Sequence, residues 1–157
     1  MNVVKTYSVD EAQKLLENYC AYQERCHKDV KEKLVKMRMI PEAIDTIVVH
    51  LIEQNYLNEE RFAKAFARGK FRIKKWGKNR IVRELKFRQI SKYSIDSALL
   101  EIDLDDYHKT LDELTVKRIA QVKETNLYKK KKKVADYLLY RGWESNLVYE
   151  KLNELLN

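Results

Sequence analysis

Apolar positions along this chain recur at steps of three and four, never in the strict alternation of a half-buried strand, and they do so in nine successive stretches. The first opens with Ser8 and Glu11 in the spacing of a capping box and turns Ala12, Leu15, Leu16, Tyr19 and Tyr22 inward before ending near Arg25. A second, Asp29 to Met37, is anchored by Val30, Leu34 and Met37. Pro41 suits the first turn of a third, where its missing N–H costs nothing, and Ile44, Ile47, Val48, Leu51 and Ile52 follow as far as Tyr56-Leu57. Asn58-Glu-Glu-Arg61 caps a fourth, whose stripe is Phe62, Ala65, Phe66, Gly69, Ile73 and Trp76. After Gly77 a fifth runs from about Asn79 to Ile90 with Ile81, Val82, Leu85 and Gln89 on one arc. The sixth starts at Ser94 and buries Ile95, Ala98, Leu99 and Ile102. Asp103 to Asp106 opens the seventh, carried by Tyr107, Leu111, Leu114, Ile119 and Val122. Lys129 to Tyr140 is the eighth, stopped by Gly142 as its C′ residue, and Glu144 to Leu156 the last, with Leu147, Val148, Leu152 and Leu155.

The nine stretches fall into three sets of three at a period of ~50 residues, the range in which stacked helical units are expected. Leu34, Leu85 and Leu138 hold one role in the middle helix of each set; Ile40, Ile90 and Trp143 follow in the next turn; Ile44, Ile95 and Leu147 open each third helix. The expected architecture is all-α: three tandem three-helix repeats, residues 1–57, 58–103 and 104–157, in an elongated curved array. Composition agrees, because three glycines and one proline are too few for a β-sandwich or a phosphate-loop α/β domain, and charged residues make up 36%.

Charge changes the picture. Between Lys64 and Lys92 stand twelve Lys/Arg and one acid, Glu84, a local +11, whereas the whole chain carries +8. Soluble surfaces usually intersperse signs, so this stretch predicts a local anionic partner. Lys64, Arg68, Lys70, Arg72, Lys74, Lys75, Lys78, Arg80, Arg83 and Arg88 are candidate phosphate contacts, with Phe71 and Phe87 interleaved among them. Those rings either stack on unpaired bases or pack against neighbouring helices. The run Lys129 to Lys133 is a second candidate contact; Lys129, Lys130, Lys132 and Lys133 extend the track if they share its side, while Tyr128, Ala135 and Leu138 mark the buried side.

Other chemistry is thinly represented. His27, His50 and His108 are scattered, and neither a nucleophile-base pairing nor a paired-carboxylate motif is present, which argues against an enzyme. Cys20 and Cys26 are six apart, a poor spacing for a disulfide, and with His27 they lack a second ligand pair; free thiols and no metal or cofactor are expected. The N-terminus, MNVVKTYSVDEAQ, lacks the apolar run of a secretory signal, and no stretch approaches a membrane span, so a cytoplasmic protein is expected.

Tyr56-Leu-Asn-Glu-Glu-Arg-Phe-Ala63, then Ala65-Phe66, Lys70-Phe71-Arg72, Trp76-Gly77-Lys78-Asn79-Arg80-Ile81, Glu84 and Leu85, resemble the RecX family of recombinase regulators. Its pattern is roughly Tyr-Leu-(Asp/Asn)-(Asp/Glu)-x-Arg-Phe-Ala, a basic helix, then Gly-x-x-Arg-Ile-x-x-Glu-Leu. Gln89 stands where such sequences usually carry Gly. The resemblance implies three three-helix units and binding along the groove of the RecA filament on single-stranded DNA, more weakly to duplex DNA. It also implies damping of ATP hydrolysis, filament growth and strand exchange; a monomer is expected. The competing reading is a helix-turn-helix-like DNA binder acting without RecA. Against it, the cations span two helices instead of the start of one, with only Asn79 and Gln89 among them to read bases.

Overall fold

The computed structural model describes residues 5–157; the first four residues, where the N-terminal stretch begins, lie outside them. Among the described residues nine α-helices follow one another and there is no strand: α1 Val9–Tyr22, α2 His27–Lys36, α3 Pro41–Glu53, α4 Glu59–Lys74, α5 Lys78–Phe87, α6 Lys92–Leu99, α7 Leu104–Gln121, α8 Leu127–Tyr140 and α9 Ser145–Leu155.

Each start is built as its local sequence dictates. Ser8 and Glu11 exchange both bonds of the capping box, Asn58 accepts from the Arg61 N–H at 2.9 Å, and Asp103 accepts from the Asp106 N–H at 3.0 Å. Gly142 ends α8 at φ 94°, the left-handed conformation its place demanded. The equivalent turn after α5 falls on Gln89, at φ 61°, and that after α2 on Arg38, also at φ 61°. Two side-chain-bearing residues therefore accept a conformation that glycine takes without steric cost.

The repeat is visible in the hydrogen bonds of that turn. The Met39, Ile90 and Trp143 N–H groups donate to the carbonyls of Leu34, Leu85 and Leu138. The N–H groups of Ile44, Ile95 and Val148 close the first turn of each third helix. Two assignments shift by one residue accordingly. Met39, not Ile40, matches Ile90 and Trp143, and Ile40 is the exposed N-cap of α3. Val148, not Leu147, matches Ile44 and Ile95, and it is fully buried.

Two cores result. Ala12, Leu16, Val30, Leu34, Ile47 and Leu51 centre the first; the second runs without a break from Phe62, Ala67 and Leu85 to Tyr107, Leu138, Trp143 and Leu152. Several expected core positions lie outside both: Leu15, Tyr22, Ile52, Ile73 and Tyr128 are exposed, while Cys20 takes the inward place on α1. The structure exposes 10346 Å², well above the ~8300 Å² of a compact monomer of this mass, as an array of small units should.

The middle and third helix sets meet backbone to backbone. The Gly77 N–H donates to the Arg141 carbonyl at 2.9 Å and the Asn79 N–H to the Gly142 carbonyl at 3.0 Å. The Trp143 indole N–H reaches the Lys75 carbonyl at 3.1 Å, and the Lys78 N–H donates to the Tyr107 hydroxyl at 2.8 Å. A Cβ on Gly77 would sit 2.5 Å from the Gly142 carbonyl carbon, so only a bare α-carbon fits there. The first set joins the middle one differently: Cys26 alone enters the second core, and the Arg61–Glu24 ion pair (Nε to Oε1 2.6 Å) stands beside an open groove of about 460 Å³.

Candidate functional site

The cations of the middle set separate into tied and free groups once their neighbours are known. Lys64 pairs with Glu60 at 3.2 Å, Arg68 with Glu101 at 2.7 Å, and Arg88 with Glu84 at 3.0 Å. Lys92, at the edge of the stretch, pairs with Asp96 at 3.0 Å. Lys70, Arg72, Lys74, Lys75, Lys78, Arg80, Arg83 and Lys86 have no acidic partner among the described residues. Arg72, Lys74, Lys75, Arg83 and Lys86 are exposed as well, so their charge is open to solvent and to any partner.

Helix geometry explains the grouping. Arg72 and Lys74 lie in the last turn of α4, Lys75 is its C-cap at φ 58°, and α5 begins three residues on, so the turn gathers charges from both helices. Cations at the carboxyl end of α4 are favoured by its dipole. Lys78 and Arg80, by contrast, open α5, whose amino end favours acids and has none in its first turn. That arrangement costs local stability, which is consistent with a surface shaped by a partner.

Rings lie against Lys70, Lys78 and Arg80, and also against Arg88, which Glu84 already pairs. Lys70 Nζ lies 5.1 Å from the Trp76 ring centre and 5.5 Å from that of Phe66; Lys78 Nζ lies 4.8 Å from Tyr107; Arg88 Cζ lies 4.8 Å from Phe66. Arg80 Cζ sits 4.2 Å from the Trp76 ring and 5.0 Å from that of Tyr140.

Phe71 is a correction. It lies at 7% exposure in the Ala63–Ala67–Phe71 line of α4, 5.8 Å from Tyr107, and cannot stack on a base. Ile73 is the converse: it shares a flank with Phe62 and Phe66, yet at the end of α4 nothing covers it and it is 78% exposed. Phe87 is exposed, with Lys28 Nζ 5.1 Å from its ring.

The lysine run divides likewise. Lys132 pairs with Asp136 at 3.2 Å and Lys133 with Glu124 at 3.1 Å, which holds the Glu124 carboxyl below its ordinary range. Lys131 turns toward α9, 3.3 Å from Asn157 Oδ1, leaving Lys129 and Lys130 without an acid among the described residues.

Pattern reading counted Lys86 in the cationic stretch without naming it a contact, and passed over Arg118, Lys123, Tyr137, Tyr140 and Arg141. Arg141 donates to the Lys74 carbonyl at 3.0 Å and stands 4.6 Å from the Tyr137 ring, so it belongs to the α4–α5 turn despite lying 67 residues away. No short-range spacing announces such a neighbour.

Residues 58–99 match the family model of the RecX second three-helix domain, and residues 105–152 that of the RecX third three-helix domain, together more than half of the chain. The chain belongs to the RecX family. The regulatory proteins RecX of Clostridioides difficile (strain 630) and Lactobacillus gasseri are similar to it. The first is 29% identical over 135 residues, covering 83% of this chain and 64% of that protein. The second is 30% identical over 154 residues, covering 96% and 57%. The chain thus spans somewhat under two thirds of these relatives' lengths. The crystal structure of RecX from Lactobacillus salivarius superposes at a TM-score of 0.81 with 21% identity, over 94% of this chain and 96% of that one. The RecX fold, an array of three-helix units, is therefore the fold of this chain.

Proposed function

We propose that this RecX-family chain is a binding regulator of the RecA recombinase rather than a catalyst. In this reading it lies along the groove of the RecA filament on single-stranded DNA and damps ATP hydrolysis, filament growth and strand exchange. One observation carries the reading: between Lys70 and Lys86, along the end of α4, the turn after it and α5, eight cations lack an acidic partner among the described residues, and phosphates or acidic protein surface can compensate them. The family supports a regulatory role, and the extended array suits a groove. No described helix is long and apolar enough to cross a membrane. In the proposed reading the partner is a cytoplasmic polymer, met by a single copy of the chain. The three helix sets are taken as the units 1–57, 58–103 and 104–157, the middle one gripping and the outer ones bracing.

The test is charge reversal at exposed positions that tie down nothing else. Arg72, Lys74, Arg83 and Lys86 changed together to Glu should leave helicity and melting close to those of the unaltered chain, since all four side chains are exposed. Inhibition of RecA-driven strand exchange should be lost. A folded quadruple variant that inhibits as well as the unaltered chain would refute the assignment.

A further inference from the structure

We propose that Tyr140 and the groove behind it form a base-stacking and phosphate-holding subsite for single-stranded nucleic acid, continuing the α4–α5 cluster onto the third helix set. The inference rests on the nucleic-acid contact proposed above and names a place for it that the cationic stretch does not contain.

Tyr140 ends α8 with 74% of its surface open. Behind it, the Arg80 guanidinium is sandwiched between its ring at 5.0 Å and that of Trp76 at 4.2 Å. One turn earlier on α8, Tyr137 lies between Arg118 at 4.5 Å and Arg141 at 4.6 Å. None of these three arginines has a carboxylate partner among the described residues. The Nε atoms of Arg80 and Arg118 are buried without an acceptor. Rings, not acids, hold these guanidinium groups, so their charge stays uncompensated.

Tyr140, Tyr137, Arg118 and Lys123 line one groove of about 510 Å³. Of its other charged walls, Lys133 is held by Glu124 and Asp136 by Lys132, so the free charge comes from Arg118 and Lys123. An open aromatic face beside unpaired guanidinium groups matches a strand whose bases are unpaired: the ring stacks on a base, and the cations take the flanking phosphates. A duplex keeps its base faces stacked inside, and an acidic peptide gains little from an open ring, so the geometry points to single strands.

The experiment is titration of the full chain into fluorescently labelled oligo(dT), read by anisotropy. Tyr140 is exposed, so its replacement leaves the core intact. Tyr140→Ala should weaken binding about five- to a hundredfold, and Tyr140→Phe, which keeps the ring, by no more than about twofold. An abasic strand of equal length should bind the unaltered chain about as weakly as oligo(dT) binds the Ala variant. Equal affinity of the Tyr140→Ala variant and the unaltered chain, with binding lost in the four-residue Glu variant, would overturn the subsite and leave the central cluster standing. If the unaltered chain fails to bind oligo(dT) at all, the subsite and the nucleic-acid contact fall together.

Discussion

Tyr107 shows how much a single residue does at the joint of the second core. Its ring stacks on Trp143 at 4.5 Å, its hydroxyl accepts from the Lys78 N–H at 2.8 Å, and the same hydroxyl donates to the Glu144 carboxylate. Burial, reinforced by that carboxylate, pushes the phenol far above its ordinary range, so it stays protonated. Tyr107→Phe keeps the ring and strands both partners, and should cost about 1–3 kcal/mol in urea unfolding. The cysteines behave as buried apolar residues. Burial raises Cys20 and Cys26 to about 11 from 9.0, so the fold keeps protons that the unfolded chain begins to release near pH 9. Their contribution to stability is therefore whole below pH 9 and is lost as pH rises through about 11. At pH 8 iodoacetamide should label neither thiol in the native chain and both after unfolding, which mass spectrometry would count.

At the scale of helices and turns, the repeat was legible because Leu34, Leu85 and Leu138 mark a periodic buried face. The reading slipped where a helix has more than one covered side. α4 packs on α6 and α5 and also meets Tyr107 of the third set, so its buried line passes through Ala63, Ala67 and Phe71 instead of the single expected stripe through Gly69 and Ile73 to Trp76. The turns slipped for another reason: Arg38 and Gln89 take left-handed conformations without the glycine that would announce them, which hid the true partner of Ile90. Gly77, legible as a helix break and as part of the family pattern, is a contact with Gly142 across the joint. Gly77→Ala should force that joint apart and cost about 1–3 kcal/mol or more in chemical denaturation, with the first core spared.

Over the whole molecule, the +11 stretch predicted an anionic partner, but pairwise geometry was needed to find which charges lack an acidic neighbour. Lys64, Arg68 and Arg88 are tied by acids, and Arg141 joins the turn from a distant helix, a relation no local spacing encodes. The joints differ as well. A continuous core and paired backbones fix the middle set to the third, while the first set reaches that core only through buried Cys26 and pairs with the middle set through Arg61–Glu24 beside an open groove. Binding to single strands by the free cations should weaken steeply with salt, log K falling by ~0.7 per phosphate contacted in units of log salt. A salt-independent affinity would remove the cations from the contact. The most direct measurement of the central claim is ATP turnover by preformed RecA filaments on single-stranded DNA, with this chain added below one copy per RecA. The account predicts that the unaltered chain slows turnover and that the variant with Arg72, Lys74, Arg83 and Lys86 changed to Glu does not. Turnover slowed equally by both proteins would contradict it.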